Sequence, residues 1–162
     1  MTTRELSPHL LLENILSLKR SQLFSAVPTR ELEAVATVAE ELRFDRGECI
    51  VKEGDIGDSL YLIKQGGVAI LKKNAAGGPT ILAELGRDEC FGEMAVIDEE
   101  VRSASVEATV SCTLLRISKD ALIDVVMNAP HLGIELLKIF VKRLRSANER
   151  IMALSSGREK QS

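Results

Sequence analysis

Tryptophan is absent from this chain, and aromatic side chains make up only 3% of its 162 residues. A stacking platform for single-stranded nucleic acid needs aromatic faces, so that class of function is disfavoured. Charge of one sign does not dominate either, since the net charge is -3. Such a balance gives no general attraction to DNA or to an anionic membrane. Long apolar runs are missing as well. Leu10-Leu11-Leu12 stops at Glu13, and Ile81-Leu82-Ala83 stops at Glu84. Neither approaches the roughly 20 residues that span a bilayer. Met1 to Glu5 has a single arginine and no cleavage site behind an apolar core, so neither a signal peptide nor membrane insertion is expected.

Cysteine is scarce and unpaired in pattern. Cys49, Cys90 and Cys112 are an odd number at wide spacing, which suits small buried thiols in a reducing, cytoplasmic setting. No pair has zinc-ligand spacing, and His9 and His131 stand alone, so neither a metal nor a cofactor is expected.

Hydrophobic patterning divides the chain into three zones. Residues 8 to about 40 carry helical spacing: Leu11, Leu12, Ile15, Leu16 and Leu18, then a second set, Leu32, Val35 and Val38. Thr29 is placed to cap the second helix. From 41 to 118 the pattern changes to short β-rich runs: Cys49–Val51, Leu60–Ile63, Val68–Leu71, Thr80–Leu82, Ala104–Val106 and Thr113–Ile117. Glycine turns separate them at intervals of about ten residues, the signature of a barrel or sandwich; a jelly roll fits this count. Beyond Ser118, a good N-cap, helix returns. Pro130 interrupts it, and a long helix follows. Leu137, Val141, Leu144, Asn148 and Ile151 fall on one heptad seam of that helix. The fold class expected is therefore α+β: a jelly-roll β-barrel flanked by N-terminal helices and a long C-terminal helix. Its parts are a helical extension over 1–22, the domain over 23–155 and a frayed polar tail over 156–162.

Phe91 to Val106 is the stretch that carries chemistry. Gly92 permits close backbone approach, and the residues from there to Ile97 suit one or two helical turns. Amides at the start of such a turn favour an anion. Nine residues after Glu93 comes Arg102, whose planar guanidinium can grip a phosphate in two places. Glu93 repels a phosphate but can accept a hydrogen bond from a sugar hydroxyl. Together they describe a cradle for a phosphorylated sugar inside a β-roll.

Phe91-Gly92-Glu93-Met94-Ala95-Val96-Ile97, followed by Arg102-Ser103-Ala104, resembles the phosphate-binding cassette of cyclic-nucleotide-binding domains. These occur in catabolite-activator-type regulators and in regulatory subunits of cAMP-dependent kinase. Gly47, Gly54-Asp55, Gly57-Asp58, Tyr61, Gly66 and Val68 match the same pattern in order and spacing, and the likeness covers about 23 to 150. The resemblance implies a ligand, cAMP favoured over cGMP. It gives Glu93 to the ribose 2′-hydroxyl, Arg102 to the cyclic phosphate, and amides at Gly92, Glu93, Met94, Ser103 and Ala104 to the cradle. The Ser103 hydroxyl would reach the phosphate or a guanine amine, or be a plain strand-edge serine. Asn148 would read an adenine edge, or serve as a register device in a parallel two-stranded coil, or both. One departure is the acidic run Asp98-Glu99-Glu100 just before Val101 and Arg102. Each acid, at roughly 8 Å from a phosphate and an effective dielectric of about 40, would oppose binding by ~1 kcal/mol.

These expectations define a non-catalytic regulatory module that signals by moving its C-terminal helix, and a homodimer through that helix. The other reading is a ligand-free dimerisation or interaction module, in which Glu93 and Arg102 simply pair with each other. The apolar face around Leu10 to Leu18 offers a docking surface for a partner protein. A metal-dependent cupin shares the jelly roll but needs clustered histidines, and neither histidine lies in the β zone. Only about eight residues follow Leu154, and the balance is acidic, so direct DNA binding is not expected. Lys142-Arg143-Arg145 is expected to be a solvated helix face, and Lys72-Lys73-Asn74 a hairpin end.

Overall fold

The leucine spacing near the N-terminus does produce two helices. A computed structural model describes residues 6–98 and 100–159. Helix α1, Pro8–Arg20, starts at Ser7, whose hydroxyl accepts the Leu10 N–H, and ends with Lys19 and Arg20 at its negative pole. Helix α2 is Thr29–Val38. Its N-cap is Pro28 and no side chain caps it, so Thr29 is the first helical residue rather than the cap.

Among the described residues eight strands follow: β1 Glu40–Phe44, β2 Cys49–Val51, β3 Ser59–Gln65, β4 Val68–Lys73, β5 Pro79–Leu85, β6 Cys90–Phe91, β7 Ser105–Ala108 and β8 Cys112–Ser118. A short helix α3, Glu93–Asp98, sits between β6 and β7. Helices α4, Lys119–Asn128, and α5, Pro130–Glu159, close the chain. The strands form two antiparallel sheets, ordered β1-β8-β3-β6 and β2-β7-β4-β5, as the jelly-roll expectation requires.

Strands β3 and β8 lie between two cores, which is why they carry nearly continuous apolar runs. One face, Leu60, Leu62, Leu115 and Ile117, packs against Leu18, Phe24, Leu32, Val35, Leu122 and Leu132 of the helical layer. The other face, Tyr61, Ile63, Cys112 and Leu114, joins Val68, Phe91, Val106 and Ala108 inside the roll. The second core fills the roll, and the first ties the roll to the helices.

Three expectations need correction. Strand β1 was not among the predicted runs: its sequence Glu-Glu-Leu-Arg-Phe is mostly charged, and it pairs on one side only, with β8. The α1 face proposed for a partner protein is largely used within the chain. Leu18 is fully buried and Leu11 and Ile15 pack on the same core, leaving Leu12 and Leu16 exposed. The stretch from Ser155, read as a frayed tail, is helical as far as Glu159. Ser118 does cap α4, accepting the Ala121 N–H at 3.2 Å. Among the described residues no helix is long and apolar enough to cross a membrane.

Candidate functional site

Strand β6 pairs with β3 in a register that sets Phe91 opposite Tyr61. Their rings stack with centroids 5.0 Å apart. The chain must then leave the sheet at once to begin α3, and Gly92 makes that turn with φ of +80°. A Cβ here would stand 2.5 Å from Nη1 of Arg102 and 2.9 Å from the Ser59 carbonyl oxygen. Only glycine meets both the positive φ and the close approach.

Arg102 reaches this turn from the far end of the cassette. Its Nη2 donates to the Ser59 carbonyl at 2.7 Å and its Nη1 to the Gly92 carbonyl at 3.3 Å. The guanidinium carbon lies 5.9 Å from the centre of the Tyr61 ring. Backbone bonds fix the residue from the loop after β2: its N–H donates to Asp55, and its carbonyl accepts from Gly54. Arg102 is only 7% exposed, and among the described residues no carboxylate pairs with it.

Glu93 opens α3, one residue after the glycine that Arg102 grips. Its Oε1 accepts from Nη1 of Arg143 on α5 at 2.9 Å. The direct Glu93–Arg102 pairing of the ligand-free reading is therefore not the arrangement adopted. Arg143, expected on a solvated face with Lys142 and Arg145, is instead half-buried and bound to the cassette. Fifty residues separate the pair, so no local pattern could announce it.

The remaining cassette residues take different positions. Met94 and Ser103 are exposed, and Ala104 is partly buried. The Ser103 carbonyl accepts from Nζ of Lys72 at 2.6 Å. Asp98 and Glu100 are exposed, with the Asp98 carboxylate accepting the Glu100 N–H. Glu99 lies outside the described residues. Asn148 is exposed on α5, five residues beyond Arg143. At about 100° per residue it points roughly 140° away around the helix from Arg143. The structure thus brings Gly92, Glu93 and Arg102 together and leaves Asn148 apart from them.

Burial pushes the Cys90 thiol up to about 12, and the nearby Glu93 carboxylate adds to the effect. Cys112 is raised chiefly by burial too. A protonated thiol is a poor nucleophile, so Cys90 supports the site by packing. The arrangement offers a buried cation, a carboxylate with one oxygen engaged, and a glycine turn between them. That combination suits an anion joined to a hydroxyl-bearing sugar.

The comparisons with known proteins agree with this geometry. The "Cyclic AMP receptor protein" of Thermus thermophilus is 30% identical over 138 residues, 85% of this chain and 64% of that protein. The chain spans about three fifths of the length of this relative and of the "CRP-like cAMP-activated global transcriptional regulator" of Mycobacterium tuberculosis, and far less of several others. The N-terminal domain of a transcriptional regulator from Streptomyces coelicolor superposes with a TM-score of 0.75 at 28% identity, covering 82% of this chain and 95% of that one. The regulatory domain of Toxoplasma gondii PKA, solved with cAMP, gives 0.70 at 25% identity, covering 77% and 48%. The sequence model of the family described as "Cyclic nucleotide-binding domain" matches residues 41–129, more than half of the chain and all of its β-roll but Glu40, and the chain belongs to that family.

Proposed function

We propose that this chain is a non-catalytic regulatory module that binds a cyclic nucleotide, cAMP in preference to cGMP. One observation carries the reading: Arg102 is 7% exposed, and among the described residues its guanidinium is bonded to carbonyl oxygens and lies over an aromatic face, with no carboxylate paired to it. A buried charge without a counter-charge is unfavourable, because desolvation is not offset by an ion pair. The cyclic phosphate supplies that counter-charge. Glu93 keeps one carboxylate oxygen free of Arg143, suited to the ribose 2′-hydroxyl. Among the relatives one is named for cyclic AMP and another was solved with it, beside others named as cGMP-dependent protein kinases. Asn148 is the base-reading candidate on the long helix.

The output in this proposal runs through α5. The Glu93–Arg143 pair joins the sugar acceptor to that helix, so a hydroxyl arriving at Glu93 changes the environment of Arg143. A ligand shifts such an equilibrium only by its differential affinity for the two helix positions. Leu137, Val141, Leu144 and Ile151 are all exposed in the single chain, which supports a second copy pairing along this seam. The relatives include a transcriptional regulator longer than this chain, so the expectation of no DNA contact finds no support in them. Calorimetric titration with cAMP and cGMP tests the ligand reading. Saturable binding of cAMP, with cGMP weaker, is expected; no heat with either at high micromolar concentration would refute it.

A further inference from the structure

The segment after Arg102 is held from both sides. On one side Gly54 donates its N–H to the Arg102 carbonyl at 2.9 Å, and the Ser105 hydroxyl accepts the Glu53 N–H at 2.9 Å. On the other, Lys72 at the end of β4 extends its Nζ to the Ser103 carbonyl at 2.6 Å. Lys72 is itself braced: its Nζ also donates to Oε1 of Glu53 at 3.1 Å, and Oε2 of Glu53 accepts the Lys73 N–H at 3.1 Å. The Lys73 amide, and then the Lys72 ammonium, hold the Glu53 carboxyl below the usual carboxylate range. The Glu53 carboxylate is therefore ionised at neutral pH.

These bonds fix peptide planes. A trans peptide is planar, with its C=O and N–H pointing in opposite directions, and no cis bond occurs among the described residues. Gly54, by holding the Arg102 carbonyl, sets the direction of the Ser103 N–H. Lys72, by holding the Ser103 carbonyl, sets the direction of the Ala104 N–H. Among the described residues neither of these two amides has an acceptor. Two donors without an acceptor among the described residues thus directly follow a buried guanidinium that has no carboxylate partner among those residues.

We propose that Lys72, braced by Glu53, is a positioning residue of the phosphate cradle, holding the Ser103–Ala104 peptide so that its amides keep one orientation toward a phosphate. This rests on the reading of the site as a cyclic-nucleotide cradle. The stretch Lys72-Lys73-Asn74, expected simply as a hairpin end, thereby becomes part of the site's support. Without the ammonium the Ser103–Ala104 plane is free to turn, and preorganised donors are lost.

The test uses the full chain and four variants: Lys72→Met, Lys72→Arg, Glu53→Gln and the double Lys72→Met/Glu53→Gln. Binding of cAMP and of its two phosphorothioate diastereomers is measured by calorimetry, and the Ser103 and Ala104 amide resonances are followed by NMR. Lys72→Met is expected to weaken cAMP about tenfold, equivalent to ~1.4 kcal/mol. It should also blunt the preference between diastereomers and abolish the ligand-induced downfield shift of the amides. Lys72→Arg, which retains a donor, should restore most of the affinity, and Glu53→Gln should fall between. The double variant removes both charges. If Lys72 acts only through its charge, the double variant returns to wild-type affinity and diastereomer preference, and the proposal is overturned. Unchanged binding and preference in Lys72→Met overturn it as well. A wild-type chain that binds no cyclic nucleotide instead overturns the reading of the site on which the proposal rests. The unfolding midpoint of each ligand-free variant separates loss of fold from loss of positioning.

Discussion

Arg143 of α5 donates to the Glu93 carboxylate of α3 across 2.9 Å, so the acid proposed to receive the sugar hydroxyl is also tied to the long helix. Replacing Arg143 with Gln should detach the helix from the cassette. The pair is partly exposed, so the loss of stability should be small, ~0.5–1 kcal/mol. The larger effect should appear in signalling. A spin-label distance between α5 and the β-roll should respond to cAMP in the wild type and not in Arg143→Gln. An undiminished response in the variant would remove Arg143 from the coupling.

Gly92→Ala should damage both fold and binding. The added Cβ would need a positive φ and would stand 2.5 Å from the Arg102 guanidinium. Residues forced into such backbone regions lose on the order of 1–3 kcal/mol. Urea unfolding should show that loss, and cAMP affinity should fall by more than tenfold as Arg102 is displaced. A variant with native stability and affinity would mean that the turn tolerates a side chain.

Much of this site was legible before the structure. Gly92, Glu93 and Arg102 lie within eleven residues, and a cassette is a local pattern that spacing can display. The apolar runs of β3 and β8 were equally plain, because both faces of each strand are buried. Contacts between distant elements were not legible. Arg143 meets Glu93, and Lys72 meets Ser103, across 50 and 31 residues. On its own element each looks like an ordinary surface charge. The apolar face of α1 shows the converse limit. Periodicity marks Leu11, Ile15 and Leu18 as one face but does not say whether the chain itself or a partner covers it.

Thiol reactivity should separate the cysteines. Cys49 is exposed, whereas burial drives the Cys90 thiol up to about 12. At pH 8 a thiol reagent should modify Cys49 quickly and Cys90 only on unfolding. A thiol that is harder to ionise in the folded state also links stability to pH. Below the unfolded value, near 9, both states are protonated and the contribution is fully present. Between there and about 12 the unfolded state ionises first, so stability falls as pH rises. Cys90→Ala should flatten that decline; an identical slope would place its origin elsewhere.

The exposed seam on α5 should pair two chains in parallel. Light scattering at tens of micromolar should give a dimeric mass, and Leu144→Glu, a charge on a residue 62% exposed in the single chain, should give a monomer. Asn148→Leu should keep association but relax register and number, because a buried Asn in this position favours two strands. A monomeric wild type would rule the seam out.

The buried guanidinium of Arg102 is the centre of the account, and calorimetric titration of cAMP into the wild type and Arg102→Ala tests it most directly. A charge-assisted contact to a buried phosphate contributes strongly, so the variant should lose about 2–5 kcal/mol of binding free energy. Equal affinity in the two proteins, with both folded, would contradict the assignment of Arg102 to the phosphate.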